Sequence, residues 1–225
     1  MKLGKLSGVK IDWHYNQGGI DPPEIVYHVK SNPDVIIDRP PKPILQMITA
    51  RGLPIRQGRW CCEYIKEWGG NDRVVILGVR AGESSKRKHY SIIQSYIKKD
   101  IQKVLFRPII DWSTYEVWEF VREYDISYCS LYDEGAKQKG YGKGIFKRLG
   151  CVLCPMETNR QTQIELMRFP KICEAWRRAA LRLYEERMSR GEGNSVEHWP
   201  TFDDMWEWWL SREKKKINEL QGILL

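Results

Sequence analysis

The chain has 225 residues, 42% of them hydrophobic, enough to bury a substantial core within one large domain. Lys and Arg outnumber Asp and Glu by 37 to 29, and the net charge of +8 favours anionic partners such as nucleotides, nucleic acid or acidic proteins without choosing among them. The charged N-terminal start has no apolar run of signal-peptide length, and no segment approaches the roughly 20 apolar residues of a membrane span. A soluble cytoplasmic protein with no membrane partner is therefore expected.

Residues 9–15 alternate apolar and polar side chains as a strand does. Asp21-Pro22-Pro23-Glu24 then has the make-up of a helix start, with Asp21 as N-cap and proline in the first turn. Val35-Ile36-Ile37 is a short apolar run between proline-containing turns, which predicts a buried strand. Helices are expected from about residue 44 and around 63–68. Residues 73–79 (RVVILGV) are continuous and β-branched, and predict another buried strand ending at a glycine-containing turn. Strands alternating with helices predict a parallel α/β sheet.

Beyond Asp111-Trp112 the pattern becomes helical. Ser113 caps a helix and Glu116 completes a capping box. Residues 135–148 (GAKQKGYGKGIFKR) are rich in glycine and lysine and predict a mobile basic loop, and helical periodicity returns over 161–190 and 202–219. The tryptophans at 206, 208 and 209 fit an amphipathic helix docked on the core better than a ligand-binding aromatic box.

Six cysteines are too few for a disulfide scaffold, and grouped cysteines in a reducing compartment bind metal or do redox chemistry. Cys61 and Cys62 are adjacent, and Cys151 and Cys154 form a CxxC followed by Pro155. If the fold unites the two pairs, they make a four-sulfur site. Two cysteines in direct succession suit an iron-sulfur cubane better than tetrahedral zinc, with zinc and plain reduced thiols as the alternatives. Cys129 and Cys173 stand outside this pattern and are expected to be packed core residues.

The segment after the 73–79 strand, Gly78-Val79-Arg80-Ala81-Gly82-Glu83-Ser84-Ser85-Lys86-Arg87, should emerge at the carboxyl end of a strand, where open α/β sheets bind ligands. Arg80 and Arg87 could contact phosphate or sulfate and Ser84 could donate a hydroxyl proton, while Glu83 is suited to orienting an arginine. A solvated basic turn explains the same residues. No Walker A motif occurs.

Taken in order, Asp21-Pro22-Pro23-Glu24, Arg59-Trp60-Cys61-Cys62, Gly78-Val79-Arg80 with Glu83-Ser84 and Arg87, Pro108-Ile109-Ile110-Asp111-Trp112, and Gly150-Cys151-Val152-Leu153-Cys154-Pro155 resemble the phosphoadenosine-phosphosulfate (PAPS) reductase family. Within it the chain looks most like members from phages and mobile elements, relatives of DNA phosphorothioation proteins, where Tyr128-Cys129-Ser130-Leu131-Tyr132-Asp133 has counterparts.

The resemblance implies a partial adenine-nucleotide α-hydrolase-like (PP-loop type) α/β domain over residues 1–156, followed by a helical C-terminal extension, 157–225, packed on it. It implies an adenine nucleotide (ATP, APS or PAPS) as ligand, with Arg80, Ser84 and Arg87 facing its phosphate or sulfate. It also implies a [4Fe-4S] cluster on Cys61, Cys62, Cys151 and Cys154. The family's Ser-Gly-Gly-x-Asp-Ser type phosphate loop should precede Val9, where eight residues stand, so the chain looks like a truncated or split gene product whose loop another polypeptide supplies. The Glu-Cys-Gly tail of the reductases proper has no match. The function implied is that of a sulfur-metabolism or sulfur-transfer protein, with a nucleic-acid-associated module or an inactive remnant as the alternatives.

Overall fold

The computed structural model describes residues 1–98, 101–191 and 199–212. They fall into two compact units, one built from residues 1–9 and 67–149 and the other from 10–66 and 150–225. These units are drawn otherwise than the expected boundary after residue 156, because the helices beyond it pack with the segment 10–66.

In the unit formed by 10–66 and 150–225, β1 (Trp13–Asn16) and β2 (Val35–Asp38) pair in parallel, with Trp13 opposite Val35 and Asn16 opposite Asp38. The crossover between them is α2 (Pro23–Lys30). Pro22, not Asp21, occupies the N-cap, and Pro23 sits in the first turn where its missing N–H costs nothing. The Asp21 carboxylate instead accepts from the Gly18 N–H at 3.0 Å.

The helix expected from about residue 44 is a short 3-10 turn followed by α3 (Ile48–Arg51), with Ile44 and Ile48 buried. The one expected at 63–68 begins earlier, as α4 (Trp60–Cys62), and widens into a π turn over Glu63–Glu67. The 161–190 periodicity resolves into α6 (Asn159–Arg168) and α7 (Pro170–Ser189), because Phe169 leaves the helical region immediately before Pro170. The last described helix is α8 (Phe202–Ser211); the expected continuation to 219 lies outside the described residues.

The core of this unit is aromatic. Ala179 and Ala180 are fully buried on α7, where small side chains let neighbouring elements approach. Trp176 stacks obliquely on Trp209 with ring centroids 5.1 Å apart. The indole N–H of Trp209 donates to the Pro54 carbonyl at 2.9 Å, so its one polar atom is satisfied. Trp206 and Trp209 are therefore packing residues, as their helical spacing implies.

The other unit contains α1 (Lys2–Leu6), a sheet and α5 (Thr114–Glu123). The sheet has the order β3-β5-β4, from β3 (Val74–Ile76), β4 (Ile93–Lys98) and β5 (Ile101–Phe106). β3 runs parallel to β5, and β4 antiparallel to it. The expected parallel α/β arrangement is thus present, with an antiparallel edge strand that the sequence pattern does not announce.

β3, expected to be deeply buried, is an edge strand. The register puts Val74, Ile76, Ile93 and Ile97 on one face, and they are 61%, 39%, 63% and 73% exposed. The opposite face of β5 holds Lys103 and Leu105, both buried, and Arg107 just past the strand end is buried as well. The expected capping box of α5 is present: Ser113 Oγ accepts from the Glu116 N–H at 3.2 Å, and the Glu116 carboxylate accepts from the Ser113 N–H at 2.7 Å.

The glycine-lysine segment 135–148 is tied down rather than loose. Asp133 receives the Tyr128 hydroxyl at 2.7 Å and the Gly140 N–H at 2.9 Å, and Arg122 donates to the Gly140 carbonyl at 3.1 Å. Phe146 is buried. Gly142 has φ +60° and lies so close to Trp118 that an added Cβ would stand 2.0 Å from the indole nitrogen. Glycine is required there by backbone conformation and by space together.

Candidate functional site

Two groups of side chains are the candidates for a site, one in each unit. In the first, α4 and the π turn bring in Cys61, Cys62 and Lys66, while the segment between Gly150 and α6 brings in Cys151 and Cys154. The fold brings the two cysteine pairs near enough for their charges to act on one another. The charges of Cys62, Cys151 and Cys154 all act on Cys61, and none of the cysteines is in a disulfide. Among the described residues, no group of three His, Cys, Asp or Glu side chains is arranged to hold a metal ion.

Hydrogen bonding to Cys62 pushes the Cys61 thiol up, with burial adding to it. Burial pushes Cys151 up to about 11, against the pull of the Lys66 ammonium, and raises Cys154 as well. Lys66 is raised in turn, chiefly by Cys151 and then by Cys154 and Cys62. These are thiols whose charge is costly to hold alone, and Cys151 and Cys154 have the Lys66 ammonium as counter-charge.

The CxxC turn is fixed by its surroundings. The Val152 N–H donates to the Ile20 carbonyl at 2.9 Å, and the Val152 carbonyl accepts from Trp176 Nε1 at 3.1 Å. The Cys154 N–H closes the turn onto the Cys151 carbonyl at 3.2 Å. Leu153 is fully buried at φ +58°, a left-handed conformation that costs a non-glycine residue on the order of 1 kcal/mol or more. Glu165, also buried, accepts the Leu153 N–H at 2.6 Å, and burial pushes its carboxyl up to about 7.

The second group lies just beyond β3. The Leu77 N–H extends the parallel ladder to the Phe106 carbonyl at 2.8 Å, and the Ala81 N–H reaches the Ile110 carbonyl at 2.7 Å. Between these anchors and Tyr90 the chain makes two 3-10 turns, Ala81–Glu83 and Arg87–His89. Glu83 lies between the two arginines: Arg80 Nε is 3.6 Å from its carboxylate, and Arg87 makes a direct ion pair with it. Arg80 also donates to Thr114 Oγ1 at 3.1 Å. Ser84 Oγ accepts from the Arg87 N–H at 3.3 Å, which leaves its hydroxyl hydrogen to be donated elsewhere. Arg80, Ser84 and Arg87 are thus brought together, and Glu83 orients the arginines as its place between them suggests.

Arg107 joins this group without any signal in the sequence. It is 3% exposed, donates to the Ser91 carbonyl at 2.8 Å and to Gln94 Oε1 at 2.9 Å, and lies 4.6 Å above the Tyr90 ring. The turn 107–110 therefore holds the arginine segment at both ends, through the Ile110 carbonyl and through the Arg107 guanidinium. A lone arginine before Pro108 has no spacing or partner that would mark such a role.

The comparisons with known proteins bear on both groups. The sequence profile described as Phosphoadenosine phosphosulfate reductase domain matches residues 26–157, a span that includes all four clustered cysteines and the arginine segment. An uncharacterized protein of Methanocaldococcus jannaschii is 34% identical over 154 residues, covering 63% of this chain and 29% of that protein. An adenosine 5'-phosphosulfate reductase of Bacillus anthracis is 28% identical over 101 residues, 43% of this chain and 39% of the enzyme. A phosphoadenosine 5'-phosphosulfate reductase of Xylella fastidiosa is 34% identical over 60 residues, 27% of this chain and 24% of the enzyme. The chain spans well under half the length of these relatives. No helix among the described residues is long and apolar enough to cross a membrane. With more than half of its length matched in the order its motifs demand, the chain belongs to the phosphoadenosine phosphosulfate reductase domain family.

Proposed function

We propose that this protein works in sulfur metabolism or sulfur transfer, holding a [4Fe-4S] cluster on Cys61, Cys62, Cys151 and Cys154 and binding an adenine nucleotide or sulfonucleotide through Arg80, Ser84 and Arg87. The observation that carries the reading is that two cysteine pairs far apart in sequence lie near enough for their charges to act on one another, with Lys66 near Cys62, Cys151 and Cys154. An all-thiol donor set with paired cysteines at both ends fits an iron-sulfur cluster, and the raised thiols would be relieved of their charge penalty by bound iron. When bound, such a group would fix the geometry of the unit that holds it. The Lys66 ammonium would offset part of the negative charge that the four thiolates bring. In the other unit, Glu83 pre-aligns the two guanidinium groups toward an anion, and Thr114 anchors the first of them.

Sulfonucleotide reduction needs a nucleophilic thiolate. Cys129 and Cys173 are buried, and burial pushes Cys173 up to about 11 with its Sγ donating to the Glu165 carbonyl at 3.5 Å. Among the described residues, neither of the two cysteines outside the proposed ligand set is poised to attack. The apolar face of β3, β5 and β4 is a surface on which added structure would bury Val74, Ile76, Ile93 and Ile97.

The test is anaerobic purification followed by iron, acid-labile sulfide and visible absorption measurements on the wild type and on Cys151→Ser. About four irons and four sulfides per chain are expected, lost in the variant. A folded, colourless, iron-free wild type would sink the cluster.

A second reading is favoured by one observation. The pinned segment 135–148 holds Lys137, Lys139, Lys143, Lys147 and Arg148 exposed with no acidic residue among them. A fixed array of cations suits a nucleic-acid backbone, and binding would fall steeply with salt. Undetectable duplex binding at low salt would remove it.

A further inference from the structure

The left-handed Leu153 between Cys151 and Cys154 is held from both sides by side chains far away in sequence. Its N–H is taken by the Glu165 carboxylate at 2.6 Å, and its carbonyl accepts from Arg212 Nη2 at 3.0 Å. Arg212 is itself left-handed, at φ +59°, at the C-terminal end of α8. Its other Nη donates to the Trp209 carbonyl at 3.0 Å, and the guanidinium lies 4.7 Å over the Trp209 ring. Beyond the second cysteine, Arg56 spans the next turn, donating to the Pro155 carbonyl at 3.1 Å and the Glu157 carbonyl at 2.7 Å.

Two strained backbone positions joined by one hydrogen bond persist only where the surroundings over-determine them. A glycine at 153 would relieve the strain, and an aliphatic residue at 212 would avoid burying an arginine whose Nε has no partner. The arrangement fixes the separation and direction of Cys151 and Cys154. It also sets the Arg212 cation close enough to Cys154 that the two charges act on each other.

We propose that Glu165 and Arg212 are positioning residues for the cysteine site, a clamp that presets the CxxC turn for metal capture before any metal binds, with Arg56 securing the following turn. The inference rests on the cluster reading for its purpose but not for its test. Holding Leu153 from both sides means that the turn opens rarely and that the two thiols are met by metal already in place.

The experiment follows iodoacetamide alkylation of each cysteine by mass spectrometry in the metal-free full chain, for the wild type, Arg212→Gln, Arg212→Lys and Glu165→Ala. Cys151 and Cys154 are expected to react about tenfold faster in Arg212→Gln and Glu165→Ala, since each loses a charge-assisted hydrogen bond, while Cys129 stays at the wild-type rate. Arg212→Lys keeps the charge but not the fork, and should fall between. If Arg212→Gln unfolds and exposes Cys129 too, the selective acceleration must still be seen in Arg212→Lys. Equal rates in all variants would overturn the clamp. In parallel, iron loss to a chelator from reconstituted protein should quicken in the same order. A wild type that takes up no iron defeats the cluster reading while leaving the alkylation result to decide the clamp.

Discussion

The cysteine turn and the arginine segment are held in opposite ways. The first is held by buried groups: every backbone polar atom of Val152 and Leu153 has a partner, and two of those partners, Trp176 and Glu165, are themselves buried. The second is held at its two ends, and its candidate anion-binding side chains are aligned by an ion pair that solvent reaches, with Arg87 and Glu83 side chains 28% and 15% exposed. A site for a resident group can be built into a core, whereas a site for an exchanging ligand must stay open to it. The contrast predicts that substitutions around the cysteines will change stability and those around the arginines will change affinity.

The largest stability effect should come from Trp209→Ala. The ring packs on Trp176 and Trp206, and its N–H bonds to Pro54, so truncation leaves a cavity and an unsatisfied carbonyl. A loss of about 3–5 kcal/mol in urea unfolding is expected. A loss below about 1 kcal/mol would mean that α8 does not hold the cysteine unit together.

Next comes a pH effect at Glu165. Its folded carboxyl is raised from 4.5 to about 7 by burial, so between those values the folded state holds a proton that the unfolded chain has released. Its contribution is fully present below pH 4.5 and is lost as pH rises through about 7, with a ceiling of about 3 kcal/mol. The metal-free wild type should therefore weaken across this window relative to Glu165→Gln, as measured by urea midpoints at successive pH values. Parallel curves for the two proteins would show that Glu165 is already ionised.

Arg107→Gln tests the arginine segment from its buried end. Losing the bonds to Ser91 and Gln94 should cost about 1.5–3 kcal/mol. Affinity for adenosine 5'-phosphosulfate should fall while that for adenosine holds, because only the anion contacts depend on the turn. Equal losses for both ligands would mean that Arg107 supports the unit as a whole.

These residues also show what a sequence can reveal. The cysteine pairs, the capping box at Ser113 and Glu116, and the packing role of Trp206 and Trp209 are legible because each is a local spacing with a physical meaning. The β4–β5 pair is not. Ile92, Ile93, Tyr96 and Ile97 recur at intervals that suit a helix as well as a strand, and no glycine or proline marks the stretch between Ile97 and Ile101. The segment 135–148 reads as loose because its anchors, Asp133 and Arg122, lie outside the glycine-rich run. Glu165 and Arg212 cannot be assigned to the cysteine turn from the sequence, since only folding brings them to Leu153.

The smallest effect separates alignment from charge. Glu83 both orients Arg80 and Arg87 and neutralises them, and the two roles pull affinity in opposite directions. In Glu83→Gln the side chain keeps an oxygen that can accept from the arginines but loses its charge. Sulfonucleotide affinity, measured by calorimetry, should then rise by a few-fold at most, about 1 kcal/mol or less. In Glu83→Ala both roles go, the guanidinium groups are released, and affinity should fall below the wild type. A fall in both variants would mean that the carboxylate charge itself is needed to hold Arg87 in place. A rise in both would mean that the arginines need no alignment, and the segment would then bind anions as an ordinary basic turn.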